Sequence, residues 1–382
     1  MLLTFTTLTD IEVYRSYTTK PIHIPQGTFV APDFWARKIQ QLYPSTVLGG
    51  YPDYKPKPNE DYAGKRVLFM RLGGIGDMLF IMPAIRALKE HFPTCEIGMA
   101  VDSHVIDLVR DDEIAEWYTS EDMFEWAAKG RFNYVVSLHD VLSLGPRNID
   151  VFDAIANYLG IATEWLDYKT HVNTRYDWLP NPIPEAENMV SALLDKSDFN
   201  VVVQVTTGSP IRTIPKETLS VFLKAIGLME ADRTIWFVGK PNEQQRLADT
   251  LLSLEGSEAF WSCFPFVSES PADLVALIHH ADIVVTSDSA SMHIAAALDK
   301  PCLAVFNAFA PAHYCSHYPT VVPIDIRSNC EFADNEYRKC FELGAKCSAM
   351  KKRGTEYAPC FDYLDVIDMM RKFEEMAKRI KK

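Results

Sequence analysis

The sequence predicts an α/β protein built around parallel sheets, and three observations carry the prediction. From Lys65 onward, short apolar strands alternate with amphipathic helices, the order required by a parallel sheet covered on both faces. The alternation stops at "VNTRYDWLPNPIPEAEN", which has three prolines between residues 180 and 184, and then starts again, so two such units are joined by a linker. The chain has 382 residues, 48% hydrophobic and 23% charged, a globular composition with enough length for two cores.

Residues 1–64 form an N-terminal extension. "LTFTTLTDIEVYRSY" and "KPIHIPQGTFV" are β-branched and punctuated by turns, "DFWARKIQQLY" has helical character, and "GGYPDYKPKPNEDYAGK" resembles a linker. A first α/β domain is expected over 65–180. It begins with the strand "RVLFMRL", a helix presenting Met78, Leu79, Met82, Ile85 and Leu88 on one face, and the strand "EIGMAVD", and it later includes "FNYVVSLHD". Pro83 is expected in the first turns of that helix, where a missing donor is tolerated. A second domain over 181–360 repeats the pattern, with strands "NVVVQVTTG", "RTIWFVGK", "DIVVTSD" and "PCLAVFN" separated by helices. Residues 361–382 predict a C-terminal helix with Phe361, Leu364, Ile367 and Met370 on its apolar face.

The formal net charge of −13 gives no general attraction to nucleic acid or anionic lipid. Residues 338–382 are the exception, with twelve Lys or Arg against seven Asp or Glu, about +5 there and about −18 elsewhere. The N-terminus lacks a signal-peptide pattern, and no segment has the roughly 18 uninterrupted apolar residues that a membrane span needs. A cytoplasmic protein is expected, with peripheral contact at the inner face of the membrane left open. Cys330, Cys340, Cys347 and Cys360 are spaced by nine, six and twelve residues, without the C-x-x-C pair that marks a zinc site, so free or buried thiols are expected ahead of a metal or disulfide staple.

Ligands of open α/β sheets bind beyond the carboxyl ends of the strands, so the loops there hold the candidate chemistry. In "RLGGIGD", Gly73, Gly74 and Gly76 let the backbone turn and approach a ligand, but the G-x-G-x-x-G dinucleotide spacing fails at Leu79. Asp77 at the helix start either caps orphan N–H groups or, in a cleft between domains, accepts a proton from an attacking hydroxyl, and the two roles are compatible. In "QVTTGSPIRTIPKET", Thr206, Thr207 and Ser209 supply hydroxyls, Gly208 permits close approach and Arg212 offers a charged fork to a diphosphate. In "VVTSDSASMHIAAALDKP", Asp288 ends a strand, Ser289, Ala290 and Ser291 stand at a helix N-terminus suited to anions, and His293 lies in the first turn.

Taken in order and at their separations, "RLGGIGDMLFIMPAIRALKEHFP", "VTTGSPIRTIP" and "SDSASMHIAAALDKPCLAVFN" resemble the bacterial lipopolysaccharide heptosyltransferases of glycosyltransferase family 9, over residues 65 to about 310. The resemblance implies the GT-B fold, two facing Rossmann-like domains with the acceptor mainly on the first and the nucleotide-sugar donor mainly on the second. It makes Asp77 the catalytic base, places Thr206 and Thr207 near the donor phosphates, and gives the donor ribose to Glu243, with Asn242 as the other candidate. Arg212 stands one residue later than the family's basic residue. The D-[ST]-G-x-x-H motif falls on Asp288, Ser289 and His293, with Ala290 in place of the glycine.

The implied reaction moves a sugar from a nucleoside diphosphate to a hydroxyl of a saccharide or lipid-linked saccharide. No cofactor and no metal ligand are expected, because the sequence has no D-x-D and no H-E-x-x-H and the GT-B site can use basic side chains and a helix dipole. Two other readings stay open. One is a glycosyltransferase acting on modified bases in DNA, with Lys351, Lys352 and Arg353 in a basic groove; the other is a non-catalytic nucleotide-sugar binding protein.

Overall fold

The computed structural model describes residues 2–14, 21–24, 26–43, 47–52, 56–71, 73–119, 132–138, 149–166, 190, 199–229, 233–330 and 347–380. The chain divides into two compact units, Met1–Val172 and Asn173–Lys382. The expected proline-rich linker lies outside the described residues.

The first unit opens with β1 (Leu2–Thr7), β2 (Ile11–Tyr14), β3 (Pro21–Ile24), β4 (Gly27–Pro32) and β5 (Val47–Pro52), with a helix at Asp33–Leu42. They form an antiparallel sheet in the order β4-β1-β5 and an antiparallel β2-β3 pair. The segment expected to be a linker before Lys65 is built into the unit. β5 occupies its start, Tyr62 is fully buried, and the Tyr62 hydroxyl donates to the Leu159 carbonyl at 2.6 Å. A buried phenol with a satisfied hydroxyl anchors a chain whose proline and charge content resembles a tether.

β6 (Arg66–Arg71), β7 (Glu96–Val101), β8 (Glu116–Thr119) and β9 (Tyr134–Ser137) make a parallel sheet in the order β8-β7-β6-β9. β6 is interior, and its residues after Arg66 are buried, as its continuous apolar run requires. It feeds the helix Ile75–His91, in which every residue from Met78 to Ile85 is buried. Pro83 therefore lies inside the helix and not in its first turns. The residue forfeits one backbone hydrogen bond, and apolar packing on all sides keeps the helix continuous.

In the second unit β10 (Phe199–Gln204), β11 (Arg233–Gly239), β12 (Cys263–Val267), β13 (Ile283–Ser287), β14 (Cys302–Phe306) and β15 (Val321–Asp325) are all parallel, in the order β12-β11-β10-β13-β14-β15. Counted from β10 this is the 3-2-1-4-5-6 order of the Rossmann fold, with its switch point between β10 and β13. The edge strands β12 and β15 escape the sequence pattern because each is partly exposed and carries a proline, Pro265 or Pro323. The C-terminal helix spans Val366–Ile380 and buries Met369, Phe373, Met376 and Ala377, with Phe373 edge-on to Phe222 of the helix Lys216–Met229 at 5.9 Å. The expected face is out of phase: Phe361 and Leu364 are buried in and beside a preceding 3-10 turn, whereas Ile367 is 80% exposed.

Candidate active site

Asp77 sits in the first turn of the helix Ile75–His91, on the loop that leaves β6. Its Oδ2 accepts from the Gly74 N–H at 3.2 Å, the capping role, and from Nη2 of Arg71 at 2.5 Å. All of its hydrogen bonds among the described residues fall on Oδ2, so Oδ1 carries none. Gly73 is needed for this arrangement, since a Cβ there would stand 2.7 Å from Oδ2 and 3.1 Å from the guanidinium carbon. Gly74 has open space around a Cβ, so its contribution is the N–H, while Gly76 is the second residue of the helix.

A cavity of about 580 Å³ lies at the carboxyl ends of β10 and β11, of a size for a small organic ligand. Thr206, Thr207, Asn242 and Glu243 line it together. Glu243 holds its loop as Asp77 holds its own: Oε2 accepts the Lys240 N–H at 2.7 Å and the Thr206 hydroxyl at 2.5 Å, and Oε1 has no hydrogen bond among the described residues. Thr207 is fixed by its hydroxyl donating to the Ser209 carbonyl at 2.6 Å. A Cβ at Gly208 would meet nothing within 4 Å, so the loop there is open.

Sequence reasoning missed the opposite wall, which includes Lys216, Gln245, Arg246, Asp249 and Tyr357. Gln245, Arg246 and Asp249 recur at three- and four-residue intervals that would have placed them on one face of the helix Gln244–Leu252, with Asn242 in the 3-10 turn just before it. Burial pushes the Arg246 guanidinium below its ordinary pKa, opposed by the carboxylates of Glu243, Glu217 and Glu356.

Arg212, Asp288, Ser289, Ala290 and His293 do not line this cavity. Nη1 of Arg212 donates to the Asp288 carbonyl at 2.8 Å and lies 3.2 Å from Oδ2 of that residue. Ser289 is the N-cap of the helix Ala290–Ala297, and its hydroxyl pairs with that of Thr286 at 2.8 Å. His293, expected in the first turn of the helix whose start suits anions, is buried inside the unit, where Nδ1 pairs with the Tyr318 hydroxyl at 3.1 Å. Burial first, and the Arg212 charge second, hold its pKa at about 3, so the ring is neutral.

Cys330, Cys347 and Cys360 line one small cavity of about 10 Å³, room for a single water or ion. Cys360 accepts weakly from Asn307, and burial pushes its thiol up to about 11. Cys340 lies outside the described residues. Among the described residues no group of three or more His, Cys, Asp or Glu is placed to hold a metal ion, and no helix is long and apolar enough to cross a membrane.

Two parallel-sheet units, one with a carboxylate at a helix start and the other with a hydroxyl- and carboxylate-lined cavity beyond Rossmann-ordered strands, belong to the GT-B fold class. Residues 228–349 match the model of glycosyltransferase family 9 (heptosyltransferase), and the chain is heptosyltransferase-like. The glycosyl transferase family 9 protein of Veillonella parvula DSM 2008 superposes with a TM-score of 0.62 at 14% identity, over 83% of this chain and 98% of that one. The dodecameric iron-containing heptosyltransferase TibC of enterotoxigenic E. coli, in complex with ADP-D-β-D-heptose, gives 0.53 at 10% identity, over 99% of this chain and 92% of that one. The E. coli ADP-heptose lipopolysaccharide heptosyltransferase II gives 0.48 at 16%, over 68% and 90%. At these identities the first two likenesses establish the fold alone. No curated protein matches the sequence.

Proposed function

We propose that this glycosyltransferase moves a sugar, heptose or a close relative, from a nucleoside diphosphate to an acceptor hydroxyl, with Asp77 as general base. The observation that carries the reading is the convergence of Thr206, Thr207 and Glu243 on one cavity at the carboxyl edge of a Rossmann-ordered sheet. Glu243 Oε1 accepts a donor hydroxyl, and the threonine loop lies beside the phosphates. Arg212 and the N–H groups opening the helix Ala290–Ala297 meet the charge that develops on the departing diphosphate, because both stand at the switch point. Asp77 takes the acceptor proton on Oδ1 as the new bond forms. These residues perform each step by hydrogen bonding and charge. The donor assignment draws support from TibC, whose structure holds ADP-D-β-D-heptose.

A thermal-shift screen of ADP-, UDP- and GDP-sugars tests the donor, since a ligand of the native state alone raises its melting point. ADP-D-β-D-heptose is expected to give the largest shift. Asp77→Asn is expected to keep that shift and lose about 10²–10⁴-fold in turnover. A variant that turns over like the parent removes Asp77 from the mechanism.

A further inference from the structure

We propose that Arg71 is the positioning residue of the transfer reaction: it clamps one oxygen of Asp77 and leaves the other to take the acceptor proton. The inference rests on the reading of Asp77 as the base.

The geometry divides the carboxylate between two tasks. Oδ2 receives Nη2 of Arg71 at 2.5 Å and the Gly74 N–H at 3.2 Å, and no hydrogen bond among the described residues reaches Oδ1. The longer bond to Gly74 by itself would hold the side chain weakly, because a capping carboxylate keeps two torsions. The charged bond to Arg71 is the stronger restraint. Arg71 is itself well fixed. It is the last residue of β6, an interior strand, and its side chain is 10% exposed against 30% for Asp77. The absence of a Cβ at Gly73 leaves the space that the pair fills. Strand end, glycine and helix start thus form one device that fixes the plane of a half-exposed carboxylate.

Proton transfer depends steeply on such placement, and a displacement of about 1 Å can cost on the order of 10²-fold in rate. A purely structural ion pair would show instead as lost stability with the rate per folded molecule unchanged. An arginine that only bound the acceptor would leave ADP release to water unchanged when removed.

The test measures ADP release from ADP-D-β-D-heptose with water standing in for the acceptor, in the full chain and in Arg71→Met, Arg71→Lys, Asp77→Asn and Arg71→Met/Asp77→Asn. Arg71→Met is expected to keep the donor KM within about twofold and to lose roughly 10–100-fold in kcat. Arg71→Lys, which keeps the charge and guards against a folding defect, is expected to fall between it and the parent, and millimolar guanidinium is expected to restore part of the Arg71→Met rate. The double variant is expected to be no slower than Asp77→Asn alone, because a clamp without its carboxylate has nothing to hold. Arg71→Met at the parental rate, or a double variant slower than Asp77→Asn by the full Arg71→Met factor, overturns the clamp while leaving the base in place. Asp77→Asn at the parental rate overturns the base, and a parent protein whose melting point ADP-D-β-D-heptose does not raise overturns the donor reading; either result removes this inference too.

Discussion

The guanidinium of Arg212 holds Asp288 twice, by a 2.8 Å hydrogen bond to its carbonyl and a 3.2 Å contact with its carboxylate. The pair ties the loop after β10 to the end of β13, the two strands on either side of the switch point. With side chains 19% and 4% exposed, the two charges are largely withdrawn from water. Removing one partner strands the other in a low-dielectric setting, which costs about 3–5 kcal/mol. Arg212→Met is expected to lower the stability of the second unit by about that amount in urea denaturation and to weaken donor binding in the same protein. Unchanged stability would show that water reaches the pair.

Glu243 lines the cavity while Oε2 holds its loop, and Glu243→Gln separates that structural task from the proposed donor contact. The amide oxygen can still accept from Thr206 and Lys240, while the amide nitrogen stands where Oε1 was and cannot accept a donor hydroxyl. A hydrogen bond to a charged acceptor is worth about 1.5–3 kcal/mol, so donor Kd by calorimetry is expected to rise roughly 10–100-fold with little change in melting temperature.

Gly160 has φ of +70° and ends the helix Val151–Leu159 in the left-handed region. A Cβ there would also lie 2.0 Å from the Lys57 carbonyl oxygen, part of the segment that docks Tyr62. Gly160→Ala is expected to destabilise the first unit by about 2–4 kcal/mol, adding a backbone clash to the left-handed penalty. Gly64→Ala, with positive φ but open space around the Cβ, is the control, with the smaller loss of the left-handed penalty alone.

His293 makes stability depend on pH. The ordinary imidazole value is 6.5, and burial brings it to about 3 in the native protein. Below about pH 6.5 the unfolded chain takes up a proton that the native ring refuses, so stability falls as pH drops towards about 3, by up to about 1.4 kcal/mol per unit. Above that range the ring adds no pH dependence. His293→Gln is expected to flatten the denaturation free energy between about pH 6.5 and 4.5 relative to the parent. An unchanged slope would place the titration elsewhere.

Much of this protein is readable in the chain alone, because it is written in local periodicity. The apolar runs of β6, β10, β11, β13 and β14 announce buried parallel strands, and the loops after them carry Asp77, Thr206, Thr207 and Asp288 just beyond the strands' carboxyl ends. β12 and β15 are not announced, since an edge strand packs on fewer neighbours and its pattern weakens accordingly. The C-terminal helix shows the same limit. Its apolar spacing is real, but the starting residue sets the phase, and a 3-10 turn at Pro359–Tyr363 moves that start to Val366.

The sequence by itself determined the α/β class and the residue types at each strand end. Tertiary structure alone decided which atoms of those residues are engaged. Arg71 closes on one oxygen of Asp77, Arg212 turns to Asp288, His293 goes into the interior, and Arg246 arrives at the Glu243 cavity from the next helix. Periodicity depends on neighbours along the chain, whereas which oxygen of a carboxylate is engaged and which is left unengaged depends on groups brought together across space.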